Sequence, residues 1–109
     1  MYEVRVRSRF SAAHALRGYD GDCERLHGHN WTVEVCAAAE DLDECGLAVD
    51  FRTLKALLAE VLAELDHRFL NELEPFRRAN PSTERVARYI FEALASRLPP
   101  ASTFHIHLL

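Results

Sequence analysis

Long apolar runs are missing from this chain, and so are paired-cysteine motifs and any surplus of basic charge. No stretch approaches the roughly 20 apolar residues of a membrane-spanning helix. The opening MYEVRVRSRF alternates charged with apolar residues instead of building the apolar core of a secretion signal. The three cysteines, Cys23, Cys36 and Cys45, are odd in number and show no C-x-x-C spacing, so reduced thiols and a cytoplasmic protein are expected. A net charge of −4 speaks against general nucleic-acid binding. Lysine is nearly absent: of the 13 basic residues only Lys55 is not an arginine. Arg5, Arg7, Arg9, Arg17 and Arg25 crowd the first quarter, where they offer either bidentate donors for phosphate or a solvated face.

What is present describes an ordinary folded domain. Hydrophobic residues make up 49% and charged residues 28% of the 109 positions, which fits a single domain over residues 1–109. Residues 2–10 alternate, with Tyr2, Val4, Val6, Ser8 and Phe10 against Glu3, Arg5, Arg7 and Arg9, the pattern of a strand with one covered face. Residues 31–39 repeat it, with Trp31, Val33, Val35 and Ala37 against Thr32, Glu34 and Cys36. The two are expected to pair as an antiparallel hairpin that sets Glu34 against the arginine row. RGYDGDCERLHGHN between them reads as a loop.

The period then changes. Phe51, Leu54, Leu57, Leu58, Val61, Leu62 and Leu65 recur every three or four residues, an amphipathic helix with Asp50 as its N-cap. A second helix carries Val86, Ile90, Leu94 and Leu98, with Asn80 expected to cap it and Pro81 to stand in its first turn. The closing TFHIHLL alternates again, placing His105 and His107 on a polar face.

Chemistry concentrates in ERLHGHNW. On extended backbone, residues i and i+2 point the same way, so His27 and His29 can converge on one ion with Gly28 between them. Alone, such a pair is as compatible with a turn. His14, just past the first strand, supplies a third imidazole once the hairpin closes, and three neutral imidazoles with an open position describe a catalytic zinc site. Cys23 is either a fourth ligand that closes the site or a base beside it. Asp66-His67 ends the first helix, either as a histidine favouring the helix dipole or as an orienting couple for proton transfer. His105 and His107 have no third ligand nearby in sequence and are read as non-catalytic.

FSAAH, CERLHGHNW, VDF, LDHRFLN and NPSTE, in this order, resemble the 6-pyruvoyl tetrahydropterin synthase family. Within it they look most like the bacterial 6-carboxytetrahydropterin synthases of queuosine biosynthesis. The resemblance runs from Val4 to about Leu98. It implies an α+β tunnelling fold, an antiparallel ββααββ sheet with two helices on one face, assembled into a homohexamer with active sites at subunit interfaces. It implies Zn2+ on His14, His27 and His29, proton transfer by Cys23, Asp66 and His67, and contact between the pterin and Thr83 and Glu84. The implied reaction turns 7,8-dihydroneopterin triphosphate into 6-carboxy-5,6,7,8-tetrahydropterin with loss of triphosphate and acetaldehyde. The alternatives are a pyruvoyl-forming synthase and a catalytically silent, zinc-stabilised interaction domain. TFHIHLL fits the family poorly, and the final strand with its pterin-anchoring glutamate is missing. From this a truncated chain is expected that binds zinc but turns over weakly.

Overall fold

The computed structural model describes residues 1–18, 25–99 and 102–108. Strands β1 (Tyr2–His14) and β2 (His27–Ala39) form a long antiparallel hairpin, followed by helix α1 (Phe51–Ala63). The two-residue strand β3 (Arg68–Phe69), two short 3-10 turns, helix α2 (Thr83–Ala95) and strand β4 (Thr103–Leu108) complete the chain. The sheet order is β3-β1-β2-β4. β1 pairs parallel with β3, whereas β2 pairs antiparallel with both β1 and β4. The sheet is therefore mixed rather than wholly antiparallel, because the segment after α1 adds a brief parallel edge beside β1.

Alternation decides which face is covered. Val6, Phe10 and Ala12 of β1 and Trp31, Val33, Val35 and Ala37 of β2 are buried. They form one core with Leu54, Leu58, Val61 and Leu62 of α1 and Val86, Ile90 and Leu94 of α2. β4 stands at the sheet's edge, and its inward-facing Phe104, Ile106 and Leu108 are half-buried against that core. The opposite face is polar. There Arg7 lies across from Glu34 and its Nε donates to the Glu34 carboxylate at 2.7 Å, as the hairpin register requires.

Two boundaries differ from the sequence reading. β2 begins at His27, not Trp31, because the histidine segment continues the ladder with β1 down to His14↔His27. HGHN looks like a loop by composition, but its partner strand holds it extended. Asp50 caps α1 as expected, accepting from the backbone N–H groups of Arg52 and Thr53. Asn80, however, does not cap α2. Ser82 does, accepting from the Arg85 N–H, and Pro81 lies before the cap.

Candidate metal and proton-transfer site

His14, His27 and His29 stand at one end of the helix-covered face, beyond Phe10 and Trp31. His14 is the residue opposite His27, and His29 follows two positions along the same strand. The imidazole centroids are 4.5 Å (His14–His27), 5.1 Å (His14–His29) and 4.6 Å (His27–His29) apart. One nitrogen from each ring lies within 4.8 Å of the others. Trp31 forms the wall behind them, edge-on to His14 at 5.0 Å and to His29 at 5.5 Å. Its indole N–H donates to the Ala12 carbonyl and its ring stacks on Phe10.

Two of the rings are oriented by backbone carbonyls. His14 Nδ1 donates to the Pro81 carbonyl and His27 Nδ1 to the Arg25 carbonyl, both at 2.7 Å. A carbonyl can only accept, so each Nδ1 carries a proton, and in the neutral ring this leaves the Nε2 lone pair free for an ion. This is the outer-sphere pattern of metal-ligating histidines. Burial pushes the His14 pKa below its ordinary value, against the Pro81 hydrogen bond, and the neighbouring His27 and His29 push the same way. The shift favours the neutral imidazole, the form a metal needs. The donor set therefore fits a metal ion.

The backbone around His14 is bolted down. Asn71 bridges to Ala15, accepting from its N–H at 2.9 Å and donating to its carbonyl at 2.8 Å. Asn80 does the same for Arg17, at 2.8 Å in both directions. Asn80 thus ties the segment that ends in the Pro81 carbonyl to the chain just beyond His14. Sequence reading missed this role; the signal, an Asn before Pro81 in NPSTE, pointed to a cap instead.

Asp66 and His67 meet β1 on its outer edge. The Ser11 N–H donates to Asp66 Oδ1 at 2.8 Å, and the His67 N–H donates to the Ser11 carbonyl at 2.6 Å. Asp66 Oδ2 lies 3.0 Å from His67 Nδ1. The Ser11 hydrogen bond, reinforced by His67, holds the Asp66 carboxyl below the usual range. His67 has φ 57°, the left-handed region uncommon for a side-chain-bearing residue. FSAAH therefore does two jobs, holding the Asp66–His67 couple through Ser11 and supplying His14. His67 and His29 line the same open groove of about 530 Å3, with Ser11, Gly28 and Asn30. Thr83, the first residue of α2, lines a smaller groove of about 270 Å3 with His29, Trp31 and Leu108. Glu84 is exposed in the same helical turn and lines neither groove. Cys23 lies outside the described residues.

The chain matches the family model described as 6-pyruvoyl tetrahydropterin synthase over residues 3–108. It belongs to that family. The match extends through β4, so TFHIHLL up to Leu108 lies inside the matched residues. Among family relatives, the 6-carboxy-5,6,7,8-tetrahydropterin synthase of Bacillus subtilis is 37% identical over 102 residues, covering 89% of this chain and 68% of that protein. The dihydroneopterin monophosphate aldolase of Pyrococcus furiosus is 39% identical over 93 residues, covering 85% of this chain and 75% of that protein. The solved 6-pyruvoyl tetrahydropterin synthase of Caenorhabditis elegans superposes with a TM-score of 0.80 at 28% identity, covering 95% of this chain and 94% of that one. This family member is thus a lyase-type enzyme carrying the tunnelling fold, with a histidine cluster able to hold a metal.

Proposed function

We propose that the chain is a zinc-dependent 6-carboxy-5,6,7,8-tetrahydropterin synthase acting on 7,8-dihydroneopterin triphosphate in the route to queuosine. The observation that carries this reading is the His14–His27–His29 triangle, two of whose rings are fixed in the metal-binding tautomer by backbone carbonyls. The relatives named as 6-carboxy-5,6,7,8-tetrahydropterin synthases supply the reaction. Zinc is the ion that three imidazoles with an open fourth position suit best, and when bound it polarises oxygen atoms of the substrate side chain.

The protein's own groups do the rest. Cys23 removes a proton from the side chain. His67, held in its strained conformation and paired with Asp66, returns a proton elsewhere on it. Thr83 and Glu84 receive the pterin at the start of α2. The His67 side chain is 81% exposed although it is hydrogen-bonded to Asp66, which supports an active site completed by a neighbouring subunit. We accordingly read the assembly as a homohexamer whose polar sheet faces line a tunnel. The free thiols of Cys36 and Cys45 suit a cytoplasmic setting, and no helix of the described residues is long and apolar enough to cross a membrane.

A second reading has its own support. The aldolase relative is as similar as the synthases and is named for a monophosphate substrate. Mass spectrometry of products separates the two. Dihydroneopterin triphosphate should yield 6-carboxytetrahydropterin with release of acetaldehyde. A pyruvoyl product without acetaldehyde, or cleavage of the monophosphate alone, would overturn the carboxy-forming assignment.

A further inference from the structure

The register between β2 and β4 builds a second cluster on the opposite, polar face of the sheet. Cys36 of β2 lies directly across from His105 of β4, and His107 follows two positions along the same strand. The two imidazoles stand edge to face at 4.9 Å. The Cys36 sulfur and one nitrogen from each ring all lie within 4.8 Å of one another.

This is the arrangement of the first cluster in a different place. There too an alternating histidine pair on one strand meets a third donor from the residue opposite one of its members. We infer that Cys36, His105 and His107 form a second metal site, one that takes Zn2+ through a thiolate and two imidazoles. Tetrahedral zinc with such ligands needs donor separations of about 3.3–3.6 Å. Both histidines are exposed, so their side chains can close that distance without disturbing the core. Thiolate together with imidazole selects zinc over magnesium or calcium, which prefer oxygen.

The surrounding charges are balanced rather than repelling. Arg5 is shared between Glu3 at 3.6 Å and Glu34 at 3.8 Å, and Arg7 is held by Glu34 at 2.7 Å. Glu34 Oε1 accepts from the Cys36 thiol at 3.7 Å. On binding, that thiol proton leaves to solvent, the sulfur bonds the ion, and water takes the fourth position. The site depends on none of the groups assigned to the pterin reaction.

Untagged full-length protein stripped with a chelator, reloaded with Zn2+ and freed of excess should contain two ions per chain. His105→Asn/His107→Asn, at exposed positions that leave the fold intact, should contain one. Cobalt loading identifies the ligand. A thiolate-to-cobalt charge-transfer band in the near ultraviolet should persist in His27→Asn/His29→Asn and vanish in both His105→Asn/His107→Asn and Cys36→Ser. A single ion per wild-type chain that His105→Asn/His107→Asn leaves in place would overturn the inference. So would a second ion that survives His105→Asn/His107→Asn, or a thiolate band that survives Cys36→Ser.

Discussion

Two alternating histidine pairs, His27/His29 and His105/His107, sit on the same sheet and face opposite ways. Each gains a third donor from the strand beside it, His14 in one case and Cys36 in the other. What separates them is the second layer. His14 and His27 each donate to a backbone carbonyl, and Asn71 and Asn80 anchor the chain around the His14 site. His105 and His107 have no hydrogen bond to a protein carbonyl among the described residues, and both are exposed. A ligand pattern is cheap for a sheet to make. Orienting it takes additional segments, and the segments spent on the first cluster fit the catalytic role proposed for it.

The largest effect should follow from breaking that first cluster. His14→Ala should remove its ion and lower kcat/KM on the order of 1000-fold, the several kcal/mol that Lewis-acid stabilisation supplies. His107→Asn should change turnover by less than about twofold, as a surface substitution away from the chemistry does. Metal analysis beside steady-state kinetics reads both. Equal losses in the two variants would erase the distinction between the clusters.

Next comes the couple on the outer edge of β1. Asp66→Asn keeps an oxygen for the Ser11 N–H but removes the charge beside His67. It should lower kcat on the order of 100-fold with metal content unchanged, which distinguishes proton transfer from ligand loss. The sign of the acid dependence follows from the depressed Asp66 pKa. The carboxylate's contribution to folding is complete above its ordinary value of 3.8 and is lost as pH falls from there through the folded-state value. Thermal melts between pH 5 and about pH 2 should therefore fall less steeply in Asp66→Asn than in wild type.

A smaller effect tests the second layer itself. Asn80→Ala breaks both hydrogen bonds to Arg17 and loosens the segment carrying the Pro81 carbonyl. Urea denaturation should show a loss of about 1–2 kcal/mol. Competition with a chromophoric chelator should show metal affinity reduced about three- to tenfold, at or below the usual cost of an outer-sphere partner. Unchanged affinity would mean that His14 keeps its orientation without that tie.

The contrast between the clusters also shows what could be read from the sequence. Both helices, the hairpin and β4 follow from periodicity, because burial on one face imposes a period on the residues that face it. Asp50 was legible as a cap because a carboxylate ahead of an apolar stripe has few other uses there. The His14 cluster was legible because a hairpin joins neighbouring strands, so its register can be guessed from local alternation. Cys36 was not legible as a partner of His105, since both helices intervene and no local pattern fixes the β2–β4 register. Asn80 was misread because Asn serves equally as a cap or as a clamp on a distant backbone, and only the fold brings Arg17 to it. The left-handed conformation of His67 likewise comes from its docking against Ser11, a contact between separate segments.

The smallest expected effect lies in neither cluster and serves as their control. Tyr89 on α2 donates its hydroxyl to the Glu64 carboxylate just beyond α1, and Arg97 Nη2 donates to the same carboxylate at 3.1 Å. Burial, then the hydrogen bond to Glu64, raises the Tyr89 pKa from 10.0 to about 12. For an acid held protonated in the native state, the folded form binds the proton more tightly than the unfolded one. Its contribution is thus complete below pH 10 and is lost as pH rises from 10 toward about 12. Tyr89→Phe removes the titrating group, so its melting temperature should decline less between pH 9 and about pH 11.5 than that of wild type. At neutral pH the variant should bind metal and turn over as wild type does, because Tyr89 lines neither groove at the histidine cluster. An alkaline slope identical in both proteins would show that neither burial nor the Glu64 hydrogen bond holds the Tyr89 proton in solution. A loss of metal at neutral pH would show that the packing of α2 against α1 reaches the Pro81 carbonyl, and that the first cluster's second layer extends through the helix behind it.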